Sequence, residues 1–151
     1  MEYVVFGRWQ LETEREATRR AYAHLEAGGP ERCGCAHCRN FAAARMEVYP
    51  VKVHRLFEDL GIDFTKEAEV YHMVRLRPGL HQYGGWFHCV GRVESETEEA
   101  GQFDIEAATG LFSLYFHDKP ALVPACFQGL PLLQLEFNAQ VAWVLQEPEA
   151  R

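Results

Sequence analysis

Three cysteines fall within six residues, Cys33-Gly34-Cys35-Ala36-His37-Cys38, in a C-x-C-x-x-C spacing. No other stretch of the chain concentrates reactive side chains so closely. A thiolate does two kinds of chemistry: it ligates soft or borderline metal ions, and it attacks disulfides. A structural zinc site needs four donors at about 2.0–2.3 Å from the ion, and sulfurs one and two residues apart on a tight bend converge on one point. Gly34 gives that bend its backbone freedom. The helix-prone run from Ala36 aims unpaired N–H groups at Cys35 and Cys38, and Arg32, Arg39 and Arg45 supply counter-charge to thiolates.

Three sulfurs leave a fourth donor to be found. His88 is the favoured ligand, because a strand holds an imidazole rigidly and a remote ligand ties the helical half to the sheet. His72 and His24 are the alternates. His72 and His88 face each other if the loop between their strands is centred near Leu80, and His24 lies nine positions before Cys33. Such a tie contributes on the order of 10 kcal/mol to folding. The competing reading of His72 and His88 is half-buried strand residues with hydrogen-bonded rings.

The redox alternative uses Cys35 as attacking thiol and Cys38 as resolving thiol, a C-x-x-C pair at a helix start. Two features weigh against it. Thiol-disulfide enzymes carry the pair directly after a strand, whereas here Gly28-Gly29-Pro30 precedes it, and Cys33 competes for the disulfide. Glu67, Glu69, Glu94 and Glu96 have no spacing that separates them from a solvated surface. Ser113 lacks a nucleophile elbow. Trp86 and His81 are the residues expected to line an apolar pocket over the sheet, should one exist.

The elements that hold this loop follow from periodicity. Tyr3–Phe6 reads as a first strand. Thr13 reads as the N-cap of a helix, with Glu16 completing a capping box. That helix carries Ala17, Ala21 and Leu25 on one stripe and ends at Gly28-Gly29-Pro30. A second helix runs to Val48 with Phe41 inward. Val53, Leu56, Phe57 and Leu60 mark a third by their i, i+3, i+4, i+7 spacing. From Ala68 the period changes to two. Val70–Leu76 and Leu80–Val93 form a hairpin about Arg77-Pro78-Gly79, with Gly84-Gly85 marking a bulge or a close backbone approach. Residues 94–99 read as an acidic turn, and 102–107 as a further strand. Leu111–His117, Leu133–Phe137 and Val141–Leu145 follow as strands, the last containing Trp143. Helices early and strands late indicate an α+β fold: a mostly antiparallel sheet of five to six strands and about three helices. Residues 1–146 are expected to form one domain, with 147–151 a frayed tail.

At 151 residues with 48% hydrophobic and 25% charged side chains, the chain has ordinary globular composition. A formal charge of −7 disfavours nucleic acid as a partner, since phosphate recognition needs a basic surface. No apolar run approaches the roughly 18 residues of a membrane span. Tyr3-Val4-Val5-Phe6, interrupted by Arg8, is too short for the apolar core of a signal peptide. Five cysteines cannot all pair within one chain, which points to a reducing cytoplasm.

Several motifs resemble those of a small group of bacterial proteins without assigned activity. They are Cys33-x-Cys35-x-x-Cys38-x-Asn40-Phe41, Leu60-Gly61-Ile62-Asp63, Glu69-Val70-Tyr71-His72 and Tyr83-Gly84-Gly85-Trp86-Phe87-His88. The resemblance implies a recurring design that includes the cysteines and both histidines. It brings no substrate or partner. The expectation is a zinc-binding domain with a non-enzymatic binding or accessory role, its partner a protein or small molecule.

Overall fold

A computed structural model of the chain describes residues 1–96, 103–107 and 110–150. The fold is α+β, with the helices in the N-terminal half against a seven-stranded sheet. Strand β1 (Glu2–Phe6) turns into β2 (Trp9–Thr13), and helices α1 (Arg15–Ala23), α2 (Gly29–Cys33), α3 (Ala36–Val48) and α4 (Val51–Leu60) follow. Strands β3 (Glu69–Arg77), β4 (Leu80–Glu96), β5 (Phe103–Ala107), β6 (Gly110–His117) and β7 (Leu132–Ala142) complete the order, with a 3-10 turn at Ala125–Phe127. The hydrogen-bonded path is β1-β2-β4-β7-β6-β5, and β3 pairs with the first half of β4. Among the described residues every pairing is antiparallel.

Strand β4 is the spine of this sheet. Its Leu80–Val90 segment pairs with β7, while Leu80–Trp86 also pairs with β3 and the Gly91–Glu96 end pairs with β2. Alternation along it puts His81, Tyr83 and Phe87 on one face and Trp86 and His88 on the other. The first face is roofed by helices. Phe41 of α3 packs on Tyr83 (ring centroids 5.4 Å apart) and on Phe137 (6.2 Å), and Phe57 of α4 packs on Phe87 (4.8 Å). The apolar stripe Val53, Leu56, Phe57 and Leu60 is buried throughout, as its spacing requires.

The close approach at Gly84-Gly85 is real. A Cβ on Gly85 would lie 2.5 Å from the Glu69 carbonyl oxygen and 2.7 Å from the Phe137 ring, and one on Gly84 would lie 2.5 Å from the Tyr71 ring. Both glycines let a neighbouring strand and ring close onto β4.

Several local expectations are corrected. Thr13 ends β2 and does not cap a helix: α1 starts at Arg15 with Glu14 at the N-cap and no side-chain cap bond. Trp9–Thr13 was hidden because its alternation is broken by the adjacent buried Glu12 and Thr13, which pair with Arg92 and Gly91 of β4. Leu133–Phe137 and Val141 belong to one strand, which ends before Trp143. Of the expected acidic turn, Glu94–Glu96 continue β4; residues 97–99, like Gln102 and Arg151, lie outside the described residues. Among the described residues beyond 146, two glutamates contact the rest of the fold. Glu147 Oε1 pairs with Arg39 at 2.6 Å, and Glu149 accepts from the Gly79 N–H at 2.8 Å and pairs with Arg75 at 3.0 Å. Among the described residues no helix is long and apolar enough to cross a membrane.

Candidate metal centre

The cysteine loop is a helix-to-helix reversal. Cys33 is the last residue of α2, Gly34 turns the chain in the left-handed region (φ 70°), and Cys35 is the N-cap of α3. Cys38 then sits three residues into α3, where its backbone N–H is one of the donors a helix start leaves without an internal partner. The Cys35 sulfur takes the role that Ser or Asp usually plays there, accepting from the Cys38 N–H at 3.4 Å. Gly34 has open space around the missing Cβ, so its glycine is required by conformation rather than by crowding. This reversal brings the three sulfurs within 4.8 Å of one another, with none in a disulfide. Cys33 and Cys35 are exposed and Cys38 is buried. The grouping is compatible with holding a metal ion.

The electrostatics separate the thiols. Burial opposes ionisation of Cys35, but the Cys38 N–H, the Cys33 and Cys38 thiols and the His37 N–H together hold its pKa below the ordinary thiol value. Burial pushes the Cys38 thiol well above that value, and the neighbouring sulfurs push it further. Of these two thiols, Cys35 is thus the one the loop favours as thiolate, and Cys38 the one it holds protonated.

Two clamps fix the loop. On one side Arg45 of α3 forks onto Glu67, with Nε to Oε2 at 3.0 Å and Nη2 to Oε1 at 2.8 Å, and it also holds Glu31 of α2. Tyr49 donates to Glu67 Oε2 at 2.7 Å, and the carboxylate is fully buried. Burial raises the Glu67 pKa, against the lowering effect of Arg45 and Tyr49. On the other side Asn40 brackets the end of β7, donating to Ala142 O at 3.0 Å and accepting from the Val144 N–H at 2.7 Å. Tyr83 donates to the His37 carbonyl at 2.7 Å.

The expected counter-charges are rearranged. Arg45 belongs to the Glu67 clamp and not to the thiols. Arg32 donates to Ala27 O and Ala68 O, and Arg39 donates to Gly34 O at 3.2 Å while pairing with Glu147. Both arginines therefore fix the backbone around the cysteines.

Cys33, Cys35 and Cys38 come together; none of the three candidate histidines joins them within the same 4.8 Å. His88 lies on the β4 face opposite Tyr83, about five strand residues and on the order of 16 Å farther along. Its Nε2 is within hydrogen-bond distance of Ala121 O (3.1 Å) and Gln134 Oε1 (3.2 Å), and its ring packs on Phe127. That is the competing reading, a strand histidine with a hydrogen-bonded ring. His24 is the exposed C-cap of α1.

His72 is the surprise. The Pro78-Gly79 turn pairs Arg77 with Leu80, so His72 faces Tyr83 rather than His88. One step diagonally along the same face lies His81, and the two rings meet at His72 Nε2 to His81 Nδ1, 2.9 Å. His37, one residue before Cys38, stacks on His72 from above with centroids 3.7 Å apart and planes 2° apart. His37, His72 and His81 form a second group whose ring nitrogens lie within 4.8 Å of one another. Two histidines on either side of an Arg-Pro-Gly turn were a signal that correct hairpin register would have revealed. His37 was visible only as a filler between cysteines.

A cleft of about 560 Å³ lies elsewhere, between α1 and α4, lined by Arg15, Arg19, Tyr22, His54, Phe57 and Asp63. The expected pocket residues are not part of it. His81 is buried beside Trp143, and the Trp86 indole donates to Ala121 O at 3.2 Å. Comparison with protein-family models, with curated proteins and with solved structures finds no match, so the motif resemblance gains no support there.

Proposed function

We propose that this chain is a zinc-binding domain with a non-enzymatic accessory role, in which Cys33, Cys35 and Cys38 hold one Zn²⁺ as thiolates. The observation that carries this reading is the convergence of three unpaired sulfurs on a helix-to-helix reversal. Sulfur-rich donor sets favour zinc among the common divalent ions. Cys38 would hold the ion as a thiolate, giving up the proton that burial otherwise retains, and the N–H groups at the start of α3 would stabilise the resulting charge. Cys33 and Cys35 are exposed, so a fourth donor could come from a partner protein or small molecule. That exposure supports an accessory role over a purely structural one, whose four donors all come from the chain itself.

Native mass spectrometry of protein purified without added metal, beside a denatured spectrum, tests the reading. At least one zinc per chain is expected, and replacing all three cysteines by serine lowers the count by one. A zinc-free native mass with three intact thiols, unchanged after zinc is added, refutes it.

The exposure and lowered pKa of Cys35 above buried Cys38 favour one second reading. In it the Cys35 thiolate attacks a substrate disulfide, forming a mixed disulfide and releasing one substrate thiolate. Cys38 then gives up its proton and attacks Cys35, expelling the second substrate thiolate and leaving a Cys35–Cys38 disulfide. Two electrons pass to the substrate. Alkylation of Cys35 at pH 6 separates the readings: rapid labelling with a reversible Cys35–Cys38 disulfide supports the redox role, and slow labelling excludes it.

A further inference from the structure

We propose that His37, His72 and His81 form a second metal site, independent of the cysteines, for one divalent transition-metal ion of the class that prefers imidazole, such as Zn²⁺. The three donors come from three elements: α3, β3 and β4. Their ring nitrogens are already within 4.8 Å of one another. Zn–N bonds of about 2.0–2.1 Å place tetrahedral donors about 3.3 Å apart, so the His72–His81 pair at 2.9 Å opens only slightly to admit the ion.

An outer partner orients the His81 lone pair. His81 Nε2 meets Glu149 Oε1 at 2.8 Å, so this nitrogen carries the proton and Nδ1 presents its lone pair toward His72. Glu149 is itself held by Arg75 and the Gly79 N–H. A carboxylate behind a ligating imidazole fixes the tautomer and raises ligand basicity. His37 Nε2 is buried and makes no hydrogen bond among the described residues, a cost that a bound cation removes. Burial, followed by the nearby His37 and His81, lowers the His72 pKa to about 4, so at neutral pH the ring carries a single proton. Across the 2.9 Å contact His72 Nε2 therefore donates to His81 Nδ1, and transfer of that proton to His72 Nδ1 would free Nε2 to ligate. The His37 and His72 planes are parallel, so His37 turns about its broad χ2 torsion to aim at the shared ion. Three imidazoles leave a coordination position open to water or a ligand oxygen.

Cobalt(II) binding to the Cys33→Ser/Cys35→Ser/Cys38→Ser variant tests the proposal, because a serine hydroxyl at the N-cap position preserves the α3 cap. One ion per chain is expected, with visible d–d bands and without thiolate-to-cobalt charge transfer. Adding His72→Phe abolishes it. Glu149→Gln weakens affinity about 10–100-fold and changes the His81 ring-nitrogen shifts that report its tautomer. In wild-type protein, Zn²⁺ moves the ring ¹⁵N resonances of all three histidines. A folded cysteine-free variant that binds no cobalt overturns the proposal. If that variant does not fold, unchanged histidine ring resonances in zinc-loaded wild type overturn it instead. Failure of the cysteine site has its own signature, absent charge transfer in wild-type protein, so the two readings fall separately.

Discussion

Arg45→Met perturbs the clamp that holds α2, α3 and the entry to β3 around the cysteine loop. The substitution keeps most of the apolar stem and removes the guanidinium fork from Glu67, leaving a fully buried carboxylate with Tyr49 as its side-chain partner. Breaking a buried pair from one side costs about 3–5 kcal/mol. An independent bound comes from protonation. Neutralising a carboxyl of ordinary pKa 4.5 at pH 7 costs about 1.4 kcal/mol for each of about 2.5 pH units, about 3.4 kcal/mol in all. The variant should therefore lose about 3–4 kcal/mol at pH 7. Without Arg45 the folded Glu67 pKa rises further above its unfolded value, so between the two the folded state binds more protons. Stability then falls as pH rises through that window, and the deficit shrinks to about 1 kcal/mol at pH 5. Urea denaturation at both pH values measures it, and Arg45→Met/Glu67→Gln should recover most of the loss. A deficit below about 1 kcal/mol at pH 7, or one that is the same at both pH values, refutes the reasoning.

Asn40→Ala removes the bonds to the part-buried Ala142 carbonyl and Val144 N–H, and denaturant melts should show a loss of about 1–2 kcal/mol. Gly85→Ala drives a methyl into the Glu69 carbonyl and the Phe137 ring, and should cost about 1–3 kcal/mol or more. Gly34→Ala meets no atoms, so only its left-handed backbone is penalised, by about 1–2 kcal/mol. Peptide mapping after iodoacetamide should find Cys35 labelled at lower pH than an ordinary thiol. Cys38 and Cys89, whose pKa values burial raises (Cys89 to about 12), should stay unlabelled in the folded protein.

Local chemistry was legible in the sequence wherever a few adjacent residues suffice. The spacing Cys33-x-Cys35-x-x-Cys38 with Gly34 requires only one chain reversal to converge, because sulfurs so close along the backbone cannot move far apart. The stripe Val53, Leu56, Phe57 and Leu60 likewise defines its own helix, since a 3.6-residue period needs no distant partner. Glycines 84 and 85 announced a close approach, though not which strand or ring would come near.

The neighbours of each histidine were decided by tertiary structure, for a simple reason. Strand side chains alternate with a period of two, so the parity of a residue decides its face and the hairpin turn decides its neighbour. Centring the turn at Pro78-Gly79 instead of Leu80 took His72 away from His88 and delivered it to His81. Parity then turned His88 toward Gln134, on the face opposite α3. The pairing of Arg45 with Glu67, the bracket formed by Asn40 and the docking of Glu149 behind His81 each join segments far apart in the chain. No local pattern encodes such pairs, because which charge finds which partner depends on the packing that brings the elements together.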